Sequence, residues 1–168
     1  MILGMRYAPA RFVDNNLLTA VGAAEVLLRG LRIDEKPFPK TEFTAMRDAM
    51  LAQFSEDRRD WFEGAIRNDL TLQDRLHALV ARPDHEAIAL LVPDVVHWAK
   101  RTTRARNDLA HEGNTPDHCF DELIAVVEVT TAVVILNVLH ELGLPAGQQR
   151  QIVWEHPQLK ATSRSAGE

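Results

Sequence analysis

An all-α helical bundle is the fold this chain predicts, and three observations carry that reading. Apolar residues recur at helical spacing in window after window. No stretch alternates apolar and polar residues with a period of two between hairpin turns. Prolines, glycines and capping residues fall between the periodic stretches, where helices would start and stop.

The first helix is expected from about Asp14 to Arg32, with Leu17, Val21, Ala24 and Leu28 on one face. Pro37 and Pro39 then interrupt the chain. Thr41 opens a second helix carrying Phe43, Met46 and Met50, with Phe54 near its end. Ser55, followed by Glu56 and Asp57, has the pattern of an N-cap with acids in the first turn, so a third helix should carry Trp61, Phe62 and Ile66. Thr71, with Asp74 three residues on, starts a piece bearing Leu72, Leu76 and Leu79.

Pro83 and Pro93 bracket a short helix. Asp94 is a good N-cap for the segment holding Val95, Trp98 and Ala99, and Gly113 is a natural stop for it. Thr115-Pro116 puts proline at the first position of the next helix, from about Asp117 to Leu142 and about 37 Å long. Its valine-rich middle has strand propensity, but strands seldom exceed about ten residues, so length favours helix. It is apolar on most sides and should be the central or an interface helix. Residues 1–160 are read as one helical domain and residues 161–168 as a disordered tail.

Hydrophobic residues make up 46% of the 168 and charged residues 26%, an ordinary folded composition with room for a core. The single cysteine, Cys119, excludes an internal disulfide and a multi-cysteine zinc site, and suits a reducing compartment. The first ten residues lack an uninterrupted apolar core of signal-peptide length. Leu123 to Leu139 contains Glu128 and Asn137 and is short for a bilayer span. A cytoplasmic protein with no membrane partner is expected.

The net charge of −5 speaks against a generic nucleic-acid coat protein. Positive charge is nevertheless concentrated locally, in Lys100, Arg101, Arg104 and Arg106. The run ends in Arg106-Asn107-Asp108-Leu109-Ala110-His111, closed by Glu112-Gly113. On a helical wheel Val95, Ala99, Thr102 and Leu109 share a face, and Arg106 falls inside that stripe. A guanidinium there must pair with an inward acid or face an anion. Glu25, at the edge of the first helix's stripe, is the obvious acid. His111 could cap the helix end. Five helical residues put it roughly 140° from Arg106. The two therefore meet only if the helix ends or distorts near Ala110, or if they meet across a dimer interface.

Cleavage of RNA would use both groups. RNA carries its own nucleophile, the 2′-hydroxyl, so the protein needs a proton-transfer group and a fixed positive charge for the phosphorane. Histidine suits the first task and arginine the second. Asn107 can orient the histidine or hold a phosphate oxygen. No metal or cofactor is required. His111, Glu112, Asp117 and His118 are close in sequence but lack the His-Glu-x-x-His spacing of a helical metal site. The other histidines are scattered, and there is no glycine-rich phosphate loop.

The string Arg106-Asn107-Asp108-Leu109-Ala110-His111 resembles the Arg-(four to six residues)-His motif of HEPN-domain ribonucleases. With Arg11-Phe12-Val13-Asp14-Asn15 leading into a helix with Glu25, the Leu72–Leu79 piece and the Trp98–Ala105 run before the motif, the chain resembles the ApeA-type HEPN domain from roughly Arg11 to Leu144. The resemblance implies an antiparallel helical bundle that dimerises and brings two motifs into one cleft. It implies a metal-independent endoribonuclease of the toxin or phage-defence type, with transfer RNA a leading substrate. Arg106 and His111 would be the catalytic pair and Asn107 the accessory polar residue. Lys100, Arg101 and Arg104 would bind substrate, with Glu25 an acid near the cleft. ApeA-type proteins carry a further N-terminal region, so either this chain is a fragment or its sensing domain or antitoxin comes from elsewhere. Two readings compete: a non-catalytic HEPN binding module, and a generic dimerisation bundle in which Arg106 pairs with Glu25.

Overall fold

The computed structural model of the chain describes residues 13–31 and 36–166, and among these every regular element is a helix. In order these are α1 (Val13–Gly30), α2 (Lys40–Leu51), α3 (Glu56–Ala65), α4 (Leu72–Val80), α5 (His85–Leu91), α6 (Val95–Glu112), α7 (Phe120–Glu141), α8 (Ala146–Glu155) and α9 (Pro157–Ala166). The helical expectation holds throughout. Arg11, Phe12 and Arg32, used in the sequence reading, lie outside the described residues.

The described residues fall into two compact units, 13–31 with 72–166, and 36–71. The smaller unit holds α2 and α3. It buries one large hydrophobic side chain, Leu51, and leaves Met46, Met50 and Trp61 exposed. Trp61, expected on this third helix, is 71% exposed and meets Phe62 edge-on. Stacking of Phe54 on Phe62 and an Arg47–Glu63 ion pair at 3.4 Å join its two helices. Asn68 closes it by exchanging hydrogen bonds with both backbone groups of Phe38. Ser55 occupies the N-cap position of α3 as expected, without a side-chain capping bond.

The larger unit owes its shape to α7. Leu123, Val126, Val133, Val134 and Leu136 are buried, as are Leu17, Val21, Ala24 and Leu28 of α1 and Leu76 and Leu79 of α4. α6 lies antiparallel to α7: Trp98 Nε1 donates to Thr130 Oγ1 at 3.3 Å, and one helical stretch later Ala105 joins the cluster of Leu123 and Val126. Burying side chains of this size contributes on the order of 1.5–3 kcal/mol each, far more than the intrinsic propensity of a valine-rich helix takes away. Length and composition alone would let α7 cross a membrane, with a mean hydropathy of 2.1. Half of that apolar window is buried inside the unit, as in the core helix of a folded domain.

Two boundaries differ from expectation. α7 starts at Phe120, not near Asp117, because the Thr115-Pro116 corner turns without entering the helix. Cys119 takes the N-cap position, and its backbone N–H donates to Glu122 at 3.0 Å, the return half of a capping box. Of the residues 161–168 expected to form a disordered tail, 161–166 continue α9, and 167 and 168 lie outside the described residues. Leu159 and Thr162 are both buried, and the Thr162 hydroxyl donates to the Gln158 carbonyl at 3.0 Å. Buried Gln149 fixes α8 by donating to the Leu144 carbonyl and accepting from the Asp84 N–H.

Candidate active site

The motif sits at the C-terminal end of α6, whose ends are set by sequence. The Asp94 carboxylate accepts the His97 N–H at 2.8 Å, as an N-cap should. Gly113 ends the helix in the left-handed conformation, φ 72°, which favours glycine. Between them the helix is unbroken through Glu112. The end or distortion expected near Ala110 is therefore absent. Arg106 and His111 lie on one regular helix, roughly 140° apart in direction and about 7.5 Å along the axis. One chain does not bring the pair together.

Arg106 is half-buried, with 33% of its side chain exposed, and its Nη2 lies 3.9 Å from a Glu25 carboxylate oxygen of α1. The inward acid named from the sequence is thus its partner, at a distance too long for a hydrogen bond. Nη1 of Arg106 donates to Asn107 Oδ1 at 3.1 Å, so Asn107 orients the arginine rather than the histidine. His111 is exposed in the last turn and makes no hydrogen bond or ion pair among the described residues.

The preceding positive charges are arranged differently. Arg101 is paired with Glu122 of α7 at 2.6 Å. That hydrogen bond, helped by the Cys119 N–H, holds the Glu122 carboxyl below the usual carboxylate range. Arg104 is exposed, contacts Asp108 at 3.9 Å and is hydrogen-bonded to Asp117. Lys100 is exposed and forms no ion pair among the described residues. Of the four cations expected to meet phosphate, three already face a carboxylate.

Two features escaped the sequence. Arg75 of α4 reaches Glu25 from another side, at 3.8 Å, so Glu25 stands between two guanidiniums. Only the packing of α1, α4 and α6 reveals this. His118, sequentially near the motif, has just 4% of its side chain exposed, and neither ring nitrogen has a hydrogen-bond partner among the described residues. Its nearest charged group is Glu122, at 3.9 Å. Among the described residues no three histidine, cysteine, aspartate or glutamate side chains converge as metal ligands would.

An all-α unit whose central pair of helices carries an Arg-x4-His string at a helix end defines the class of domain. The family model for the Apea-like HEPN domain matches residues 18–148, most of the chain, and the protein belongs to that family. The match covers α1 from Leu18 onward, the motif helix α6 and the core helix α7. No curated protein and no solved structure matches the chain.

Proposed function

We propose that the protein is a metal-independent endoribonuclease of the HEPN toxin or phage-defence type, acting in the cytoplasm as a homodimer. The observation that carries this reading is the Arg-x4-His string of a HEPN-family chain, ending in an exposed His111 whose side chain has no polar partner among the described residues. A histidine side chain free of polar contacts among the described residues is available to a substrate as a proton-transfer group. Arg106 contributes a permanent positive charge for the pentavalent phosphate, worth about 10²–10³ in rate when such a donor is preorganised. The 2′-hydroxyl attacks the adjacent phosphorus, its proton passing to a base such as His111. The P–O5′ bond breaks and the 5′-oxygen takes a proton from an imidazolium or from water, giving a 2′,3′-cyclic phosphate and a 5′-hydroxyl.

The divergence of Arg106 and His111 on one helix is the reason for a dimer. Arg106 of one chain and His111 of its partner would supply the pair that neither chain assembles alone. Transfer RNA is the favoured substrate class, and control would come from a sensing domain or an antitoxin partner.

A second reading, a non-catalytic HEPN binding or dimerisation module, draws on the Arg106–Glu25 pair, which gives the arginine a structural partner. Incubation with transfer RNA in EDTA separates the two. The ribonuclease reading expects cyclic-phosphate products from wild type, none from His111→Ala, and none when the cut site carries 2′-deoxyribose. Products ending in a 3′-hydroxyl, or cleavage of the deoxy substrate, would contradict the chemistry. Failure to cleave any RNA would favour the binding module.

A further inference from the structure

Three elements converge on one carboxylate. Glu25 of α1 lies 3.8 Å from Arg75 of α4 and 3.9 Å from Arg106 of α6. Its side chain is 18% exposed, whereas those of the two arginines are about a third exposed, at 34% and 33%. Neither guanidinium is within hydrogen-bond reach of the carboxylate oxygen nearest it. Arg–carboxylate pairs frequently close to a forked contact with two parallel bonds. This trio stays open.

The charges explain why that matters. Two guanidiniums and one carboxylate leave a surplus of one positive charge, with the negative group held between the positive ones. Partly exposed pairs of this length contribute little stability, about 0–1 kcal/mol each, so exchanging one anion for another is cheap. A phosphodiester carries one negative charge on two oxygens and accepts bonds from both sides, the geometry that two arginines can fork. Arg75 is anchored for the task, because the next residue, Leu76, is fully buried and fixes this part of α4 against the core.

Building on the ribonuclease reading, we propose that Arg75 is a second phosphate-binding residue of the Arg106 site, and that Glu25 holds the anion position between them until RNA takes it. Glu25 is then a placeholder. It keeps two like charges stable side by side in the free protein and lowers affinity for weak anions.

The test measures binding of a mixed-sequence 2′-O-methyl oligoribonucleotide, which cannot be cleaved, across a salt series. Wild type, Arg75→Gln, Arg75→Lys and Glu25→Gln are compared, with circular dichroism and thermal melting alongside. Arg75→Gln should weaken binding about tenfold and lower the slope of log affinity against log salt by about one. Arg75→Lys should recover the slope but only part of the affinity, because a point charge replaces a fork. Glu25→Gln should tighten binding several-fold while lowering the melting temperature slightly. A purely structural tie would move melting temperatures and leave affinity and salt slope unchanged. Wild-type binding with an unaltered slope in Arg75→Gln, or no tightening in Glu25→Gln, overturns the assignment alone. A wild type that neither binds nor cleaves RNA overturns the ribonuclease reading, and this one with it.

Discussion

Arg101 and Arg104 on the one hand, and Arg106 and His111 on the other, occupy the same helix yet keep different company. Arg101 makes a 2.6 Å contact with Glu122, and Arg104 is hydrogen-bonded to Asp117. These bonds join α6 to α7 and to the loop between them. Arg106 sits 3.9 Å from its acid, and His111 makes no polar contact among the described residues. Close pairing satisfies a charge and fixes a loop, whereas loose pairing leaves it free for an incoming ligand. On the proposed ribonuclease reading, the first pair serves mainly architecture and the second chemistry.

The largest expected effect breaks that comparison directly. Arg106→Ala should reduce RNA cleavage by about 10²–10³-fold with the helical spectrum intact, while Arg104→Ala should cost less than about tenfold. Equal losses from the two variants, measured as initial rates on transfer RNA, would erase the distinction. A smaller effect is expected at the helix end. Gly113 has φ 72°, and a Cβ added there meets nothing, so Gly113→Ala should destabilise through backbone strain alone. The cost should be about 1 kcal/mol, or about 2–4 °C in melting temperature, with cleavage falling more than stability because the last turn carries His111.

The architectural pair can be probed with acid. Arg101 lowers the Glu122 pKa, so its contribution to stability is present above the unfolded carboxylate value and is lost as pH falls through the lower folded value. Chemical denaturation across the acid range should show this loss in wild type and a smaller one in Glu122→Gln. The same protonation releases Arg101, so affinity for RNA should rise slightly over that window. The smallest effect belongs to Lys100. Lys100→Gln should lower the salt slope of RNA binding by about one or less and leave the fold unaffected.

Sequence periodicity revealed the helices because burial in this fold follows it closely: Leu17, Val21, Ala24 and Leu28 are all buried, as are Leu76 and Leu79. Caps at Asp94 and Gly113 were equally legible, since each rests on one residue's local chemistry. The smaller unit was harder to read. Its α3 has aromatic residues but almost no core to bury them in, and a wheel cannot tell an interior from an exposed apolar face. The start of α7 depended on whether a proline turns or enters, which Cys119 and Glu122 decide together. At the site, the Arg106–Glu25 contact was accessible because Arg106 falls inside one apolar stripe and Glu25 sits at the edge of another. Arg75 was not, because its role exists only where three helices meet. The unbroken course of α6 through Ala110 likewise follows from packing over the whole helix and not from the motif itself.

That unbroken course also supplies the most direct test of a shared site. Arg106→Ala and His111→Ala proteins are each expected to lose nearly all activity, and the two are mixed under conditions that exchange subunits. If Arg106 of one chain works with His111 of its partner, each mixed dimer regains one intact pair. Cleavage should then return to about a quarter of the wild-type rate at statistical exchange. Mixed dimers that form, as judged by differently tagged subunits, yet remain inactive would contradict a site built across two chains.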